Sequence, residues 1–286
     1  MISDITLGQF FPGFSVVHKL DPRTKIILAI LYIVTAFLAK TPIAFLFLTA
    51  FTIVLIPVTK IRTKVILKGL KPMYFILIFT SLLHIFATKG SGEPLVEWYF
   101  IHIYFEGIMR AIFMSLRFLL FIIGTSLFLT YTTSPIALTD GLEWWLSPLK
   151  LIKVPVSIFS MMMTIALRFI PTLVEETEKI MNAQASRGAD FSSGNLIRRA
   201  KALVPLIVPL FASSFKRAGE LANAMECRCY AVDRKRTKMV KLTFHLRDLW
   251  FTLLLGAVLA VTLLLNSPMS FIEQTGKITD FLFYVI

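Results

Sequence analysis

The chain has 286 residues, 56% of them hydrophobic, with a mean hydropathy of +0.76. A soluble domain of this length has no interior large enough for that much apolar surface, so the composition excludes an ordinary globular protein and points to helices in a bilayer. The formal net charge of +13 reports topology first, because basic loops stay cytoplasmic. Nucleic acid is the weaker reading, since no basic run is interleaved with stacking aromatics. The two cysteines, Cys227 and Cys229, form no disulfide framework and read as free cytosolic thiols. A metal site needs further ligands, and the nearest histidine is His245. The first 25 residues lack the basic start and small-residue cleavage site of a secretory signal.

In chain order, Ile26 to Ala39 is an apolar run flanked by Lys25 and Lys40. It is short against the roughly 20 residues a bilayer asks for, a gap that snorkelling lysines and local thinning close. Thr41-Pro42 opens a second run, Ile43 to Val58. The pair reads as two short spans or one re-entrant unit, with two spans favoured. A loop bearing Lys60, Arg62, Lys64, Lys68 and Lys71 follows, without acidic residues, and belongs inside. Pro72 to Thr88 is a third span. The stretch from Lys89 to Ile101, with Glu93 and Glu97, suits the outside. A fourth span covers Ile103 to Thr130 and contains Glu106, Arg110 and Arg117. An intramembrane charge is by default a candidate for function. Here a structural pairing of both arginines with Glu106, holding the bundle, is preferred to a substrate path. Leu249 to Asn266 is a fifth span, and residues 267–286 lie outside.

The fold class is therefore an all-α integral membrane protein of about five transmembrane helices plus long cytoplasmic helices. Its parts are an N-terminal membrane region at 1–130, a cytoplasmic helical region at 131–248, and a last span with an outer tail at 249–286. No stretch of 131–248 has to span. Between Lys150 and Arg247 there are 17 Lys/Arg and 7 Asp/Glu, which keeps the segment inside. No fixed-period repeat stands out.

Two helices dominate that region. The first runs from about Pro155, which suits a helix start, to Arg187, with Gly188 as its C-terminal stop and Pro171 as a bend. Its first half is apolar nearly all round and includes Met161 and Met162. Its second half is amphipathic, with Glu175 and Lys179 spaced for an ion pair. The second runs from about Asn195 to Tyr230 and is read as a short helix and a longer one, because Pro205 and Pro209 interrupt it. Its stripe of Leu210, Ser214, Ala218, Leu221 and Met225 is small and soft, open to close approach by another helix. Both helices end on an arginine, Arg187 and Arg228. From spacing alone these arginines serve the helix macrodipole more readily than a partner, and the methionines fill a core at least as readily as they meet one.

The chain has no P-loop, no H-E-x-x-H, no G-x-S-x-G and no paired-aspartate magnesium motif. The histidines are scattered.

Four segments together carry a resemblance: Leu20-Asp21-Pro22-Arg23-Thr24-Lys25, Arg168-Phe169-Ile170-Pro171 with Glu175, Ala183-Gln184-Ala185-Ser186-Arg187-Gly188-Ala189, and Ala224-Met225-Glu226-Cys227-Arg228-Cys229-Tyr230. In this order, over nearly the whole chain, they resemble the transmembrane T component of energy-coupling factor (ECF) transporters, the group that includes the cobalt-transport permease subunit. The resemblance implies a non-catalytic scaffold in a prokaryotic cell membrane, with its N-terminus and coupling region cytoplasmic. It implies two partner ATPases that hold the ATP and magnesium, and a separate S component that captures a vitamin or metal ion. It implies that Arg187 and Arg228 dock the ATPases, flanked by Ser186, Gly188, Cys227 and Cys229. It further implies that Met161, Met162, Leu210, Ser214, Ala218, Leu221 and Met225 face the S component. The chain departs from the family pattern in reading Cys-Arg-Cys at the second motif, with Cys229 where a glycine is expected. The competing class is a self-contained carrier or channel, which would need a polar midplane site.

Overall fold

The computed structural model describes residues 10–11, 13–88, 96–98, 101–189, 196–231 and 242–266. It is helical apart from one short ribbon. The described residues form two compact units, one from 142 to 231 and one joining 10–141 to 242–266.

The second of these units begins at α1, Pro22–Leu38. Asp21 caps it by accepting from the Arg23 N–H at 2.9 Å, and Pro22 supplies a preset first turn. The 17-residue helix is about 26 Å long at 1.5 Å per residue, close to the hydrocarbon thickness. It is longer than its apolar run because the polar first turn is buried too. Lys25 is 2% exposed, and its Nζ donates to the carbonyls of His18 at 3.1 Å and Thr132 at 2.8 Å. After Ala39 and Lys40, Thr41 caps α2, Pro42–Thr59.

The basic stretch that follows is not a loop. It forms α3, Thr63–Leu70, and passes through a 3-10 turn at Lys71–Met73 into α4, Tyr74–Ala87. The pattern explains it: Ile66 and Leu70, four apart, are buried while Lys64, Lys68 and Lys71 stay exposed. Of the stretch read as an outer loop, residues 96–98 and 101–103 are described. They form an antiparallel ribbon of β1, Val96–Trp98, and β2, Ile101–Ile103. The tail at 267–286 lies outside the described residues.

Helix α5, Phe105–Thr125, continues as a π turn at Ser126–Thr130. It runs antiparallel to α1: Lys25 meets Thr132, Tyr32 meets Gly124, and Ala39 meets Arg117. The Tyr32 contact is so close that a Cβ on Gly124 would lie 2.0 Å from the ring. Helix α6, Pro135–Leu146, sets Gly141 against Pro22 and Ile26.

The last helix, α9, Leu246–Asn266, is fastened to α1 at both ends. At its start Asp248, 1% exposed, accepts from the Asp21 N–H at 2.9 Å and the Thr24 hydroxyl at 3.1 Å through Oδ1, and from the His245 N–H at 2.8 Å through Oδ2. At its finish Asn266 accepts from the N–H groups of Lys40 and Thr41 and donates to the Leu38 carbonyl. Helices α1 and α9 are therefore parallel, with their starts on one side of the unit. Tyr32, Phe45, Leu28, Leu48, Leu127, Phe128 and Leu255 fill the core between these helices.

In the other unit, α7, Val156–Ser186, follows a 3-10 segment at Ser147–Ile152, and α8 covers Leu196–Cys227. Helix α7 continues through Pro171, and α8 is one helix rather than two. Pro205 and Pro209 are four residues apart, so their missing hydrogen bonds fall on one face and the ladder on the other face carries the helix through.

Among the described residues, five helical segments are long and apolar enough to cross a bilayer: Pro42–Thr59, Thr63–Ala87, Phe105–Thr130, Val156–Ser186 and Leu246–Asn266. The number agrees with the expectation, but the set differs. Helix α7 qualifies by length and composition although its region was read as free of spans, and α1 falls just short in length.

Candidate functional site: two arginine-capped helix ends

The ends of α7 and α8 are built alike. Arg187 is the C-cap of α7, and Gly188 after it takes the left-handed conformation with φ +86°. The Gly188 N–H donates to the Ala185 carbonyl and the Ala189 N–H to the Gln184 carbonyl, both at 3.0 Å. This is the Schellman arrangement, which satisfies the last carbonyls of a helix. After Arg228, Cys229 adopts φ +55°. The Cys229 N–H donates to the Glu226 carbonyl at 2.8 Å and the Tyr230 N–H to the Met225 carbonyl at 3.0 Å. The second end thus reproduces the first with a cysteine in the glycine position. The substitution keeps the geometry and adds side-chain crowding, since a left-handed residue with a Cβ costs roughly 1–2 kcal/mol. Ser186, Arg187, Gly188, Cys227, Arg228 and Cys229 are all exposed. Ser186 donates back to the Asn182 carbonyl at 3.0 Å, leaving its surroundings open.

The two helices pack on each other, and Arg217 of α8 donates to Glu176 of α7 at 2.6 Å. Glu175 and Lys179, spaced for a helical pair, instead stand exposed without an ion pair. Arg217 marks the stripe of α8 that turns toward α7. Leu210, Ser214, Leu221 and Met225 share it and are half-buried, whereas Ala218 is exposed. On α7, Met161 is half-buried and Met162 exposed. Another face of α8 carries Val204, Val208, Phe211, Phe215, Ala218 and Ala222 at spacings of three and four, all exposed. The sequence pattern singled out the half-buried stripe and passed over this bulkier one, although its helical period was readable.

Of the charges on α5, Arg117 holds two helices together. Arg117 Nη2 donates to the Ala39 carbonyl at 2.8 Å, and the guanidinium sits 5.2 Å from the Phe45 ring centre. It therefore caps the C-terminus of α1, where cationic charge is favoured. The expected Arg117–Glu106 pairing fails on distance: eleven residues of helix separate them by about 16 Å. Glu106 and Arg110 are half-buried at the opening of the helix, and both have partners.

A family model described as CbiQ, cobalt transport protein, matches residues 13–239. The chain belongs to this family. The energy-coupling factor transporter transmembrane protein EcfT of Clostridium kluyveri is 54% identical over 248 residues, covering 87% of this chain and 92% of that protein. Its namesake in Ruminiclostridium cellulolyticum is 54% identical over 252 residues, covering 88% and 93%. That of Bacillus subtilis is 48% identical over 248 residues, covering 87% and 93%. The matched lengths take in both arginine ends. This CbiQ-family chain is a multi-pass transmembrane component of the energy-coupling factor transporter type.

Proposed function

We propose that this chain is the scaffold and coupling subunit of an ATP-driven importer. Two cytoplasmic ATPases dock on Arg187 and Arg228, and a membrane S component supplies the vitamin or metal ion. The chain itself holds neither ATP nor magnesium and catalyses nothing. Residues 1–130 and 249–286 form its membrane part, and 131–248 its coupling part.

The observation that carries this reading is the duplication. Two helices end in the same hydrogen-bonded cap, each presenting an exposed arginine with small or polar neighbours. A chain that couples to ATP without binding it passes force through a surface, and arginine suits this because its charge is permanent and its fork pairs bidentately with carboxylate. The exposed apolar stripe of α8 supports contact with a membrane partner.

The membrane unit supports the sidedness. The end of α5 meets the start of α1 through Thr132 and Lys25, and the start of α9 meets it through Asp248 and Asp21. These ends share the side of Lys60, Arg62 and Lys64, which is the cytoplasmic side by the positive-inside rule. The excess of Lys and Arg between Lys150 and Arg247 supports the same side for α7 and α8.

Purification of the tagged chain from native membranes in mild detergent tests the reading. The wild type brings down nucleotide-binding subunits, Arg187→Glu and Arg228→Glu each lose part of them, and the double change loses all. Full retention by the double variant, or no ATPase with the wild type, sinks the proposal.

A further inference from the structure

Between Asp21 and Glu93 the chain carries no acidic residue, yet five cations stand there close together: Lys60, Arg62, Lys64, Lys68 and Lys71. All five are exposed, and none has an ion pair or a side-chain hydrogen bond among the described residues. Helix α3 arranges three of them. Lys64, Lys68 and Lys71 follow a spacing of four and three and so form one stripe. Ile66 and Leu70 are buried on another side, and Leu67, 57% exposed, stands at the border between the two. Helix stability does not account for the charges. Arg62 is the N-cap and Lys64 lies in the first turn, where positive charge opposes the helix dipole and no acidic residue offsets it. The positive-inside rule accounts for the number of cations but not for their gathering on one face.

The neighbouring elements set the depth of this helix. The 18 residues of α2 are about 27 Å long. The 3-10 turn and the 14 residues of α4 together are also about 27 Å long. Each is close to the hydrocarbon thickness. Only residues 60–62 separate α2 from α3, and only the 3-10 turn separates α3 from α4. Helix α3 is thus held between the ends of two spans at one face of the bilayer. Tyr74, exposed directly after the turn, is a residue type favoured at the boundary between headgroups and acyl chains. We propose that α3 is a binding site for anionic phospholipid headgroups. Lys64, Lys68 and Lys71 hold the phosphates, Leu67 rests on the acyl chains, and Lys60 and Arg62 extend the site toward α2. An ammonium suits this because it is a compact charge with three donors that meets phosphate oxygens without demanding one geometry. The site needs a bilayer but no protein partner, so it stands apart from the docking of ATPases.

The test uses the purified full chain with Cys227→Ser and Cys229→Ser, reconstituted into vesicles of equal parts phosphatidylglycerol and phosphatidylcholine. One lipid or the other carries brominated acyl chains. A bimane label on Phe75→Cys reads which lipid lies beside the start of α4, because bromine quenches it. Phosphatidylglycerol is preferred there by about five-fold, the worth of one lysine at an anionic surface. Salt at about 0.5 M weakens the preference by screening. Changing Lys64, Lys68 and Lys71 together to glutamine abolishes it, and changing them to arginine keeps it. A label on Phe86→Cys, at the far end of α4, shows no preference. Circular dichroism and a single size-exclusion peak confirm that the helices remain, and Lys64→Gln alone, which lowers the preference, carries the test if the triple variant does not fold. Equal quenching by the two lipids at Phe75, a preference of the same size at Phe86, or a preference that survives the glutamine changes overturns the site. No ATPase takes part, so failure here leaves Arg187 and Arg228 as proposed, and their failure leaves this site standing.

Discussion

The Glu176 carboxylate accepts from the Arg217 guanidinium at 2.6 Å, and eleven residues beyond each partner stands an exposed arginine. Eleven residues are just over three helical turns, about 16 Å. Each arginine therefore lies on nearly the same face of its helix as the residue in the ion pair. The pair fixes the register of two equal arms.

That register is testable by charge exchange. Both side chains are partly exposed, so the pair contributes no more than about 1 kcal/mol. Glu176→Arg and Arg217→Glu singly broaden the distance distribution between spin labels placed at Ser186 and Cys227, with Cys229 changed to serine. The double exchange restores the narrow distribution. Equal broadening in all three variants refutes a role for the pair in setting the arms.

The left-handed Cys229 predicts an unusual gain. Cys229→Gly removes a Cβ from a backbone with φ +55° and raises the stability of α7 and α8 by about 1 kcal/mol, net of the extra freedom glycine brings to the unfolded chain. Cys229→Val lowers it. Thermal unfolding followed by circular dichroism in detergent orders the three as Gly above Cys above Val.

At Gly124 the sign is opposite. A methyl there meets the Tyr32 ring, which is fully buried and bonded to Thr52 at 2.7 Å. Gly124→Ala costs about 1–3 kcal/mol through overpacking between α1 and α5. Gly219→Ala, where nothing lies within 4 Å, serves as control and leaves unfolding unchanged or slightly later.

The buried Asp248 carboxylate accepts from the Asp21 and His245 N–H groups, with the Thr24 hydroxyl, which also donates to the Asp21 carbonyl at 2.6 Å, within reach. Asp248→Ala leaves the buried Asp21 N–H unmet and costs about 1–3 kcal/mol. Asn266→Ala, at the more exposed far end, costs about 1 kcal/mol. Proteolysis in detergent reads the difference: cleavage near α9 rises steeply in the first variant and little in the second.

Much of this was legible in the sequence. Pro155 and Gly188 mark α7 to within a residue of its observed ends, because proline and glycine act through local backbone geometry. The terminal arginines were visible for the same reason. What escaped depends on partners distant in the chain. Lys25 looked like a flank and is buried on two carbonyls. Asp248 looked like the polar edge of a span and bonds Asp21, 227 residues away. The basic stretch around Lys64 looked like a loop because its charge outweighed the two buried apolar positions. Arg117 looked like a partner for Glu106, a choice that spacing along one helix already forbids.

The fastening of α9 to α1 bears on how the molecule is made. The ribosome releases α1 first and α9 last. Until Asp248 emerges, the Asp21 amide and Thr24 hydroxyl have no carboxylate to meet, and until Asn266 follows, the Leu38–Thr41 corner is unsecured. The early helices wait for the final one to close the ring. The unit that holds α1 and α9 is thus finished only when α7 and α8 have already been synthesised, so a chain cut short by faulty translation never reaches the closed form.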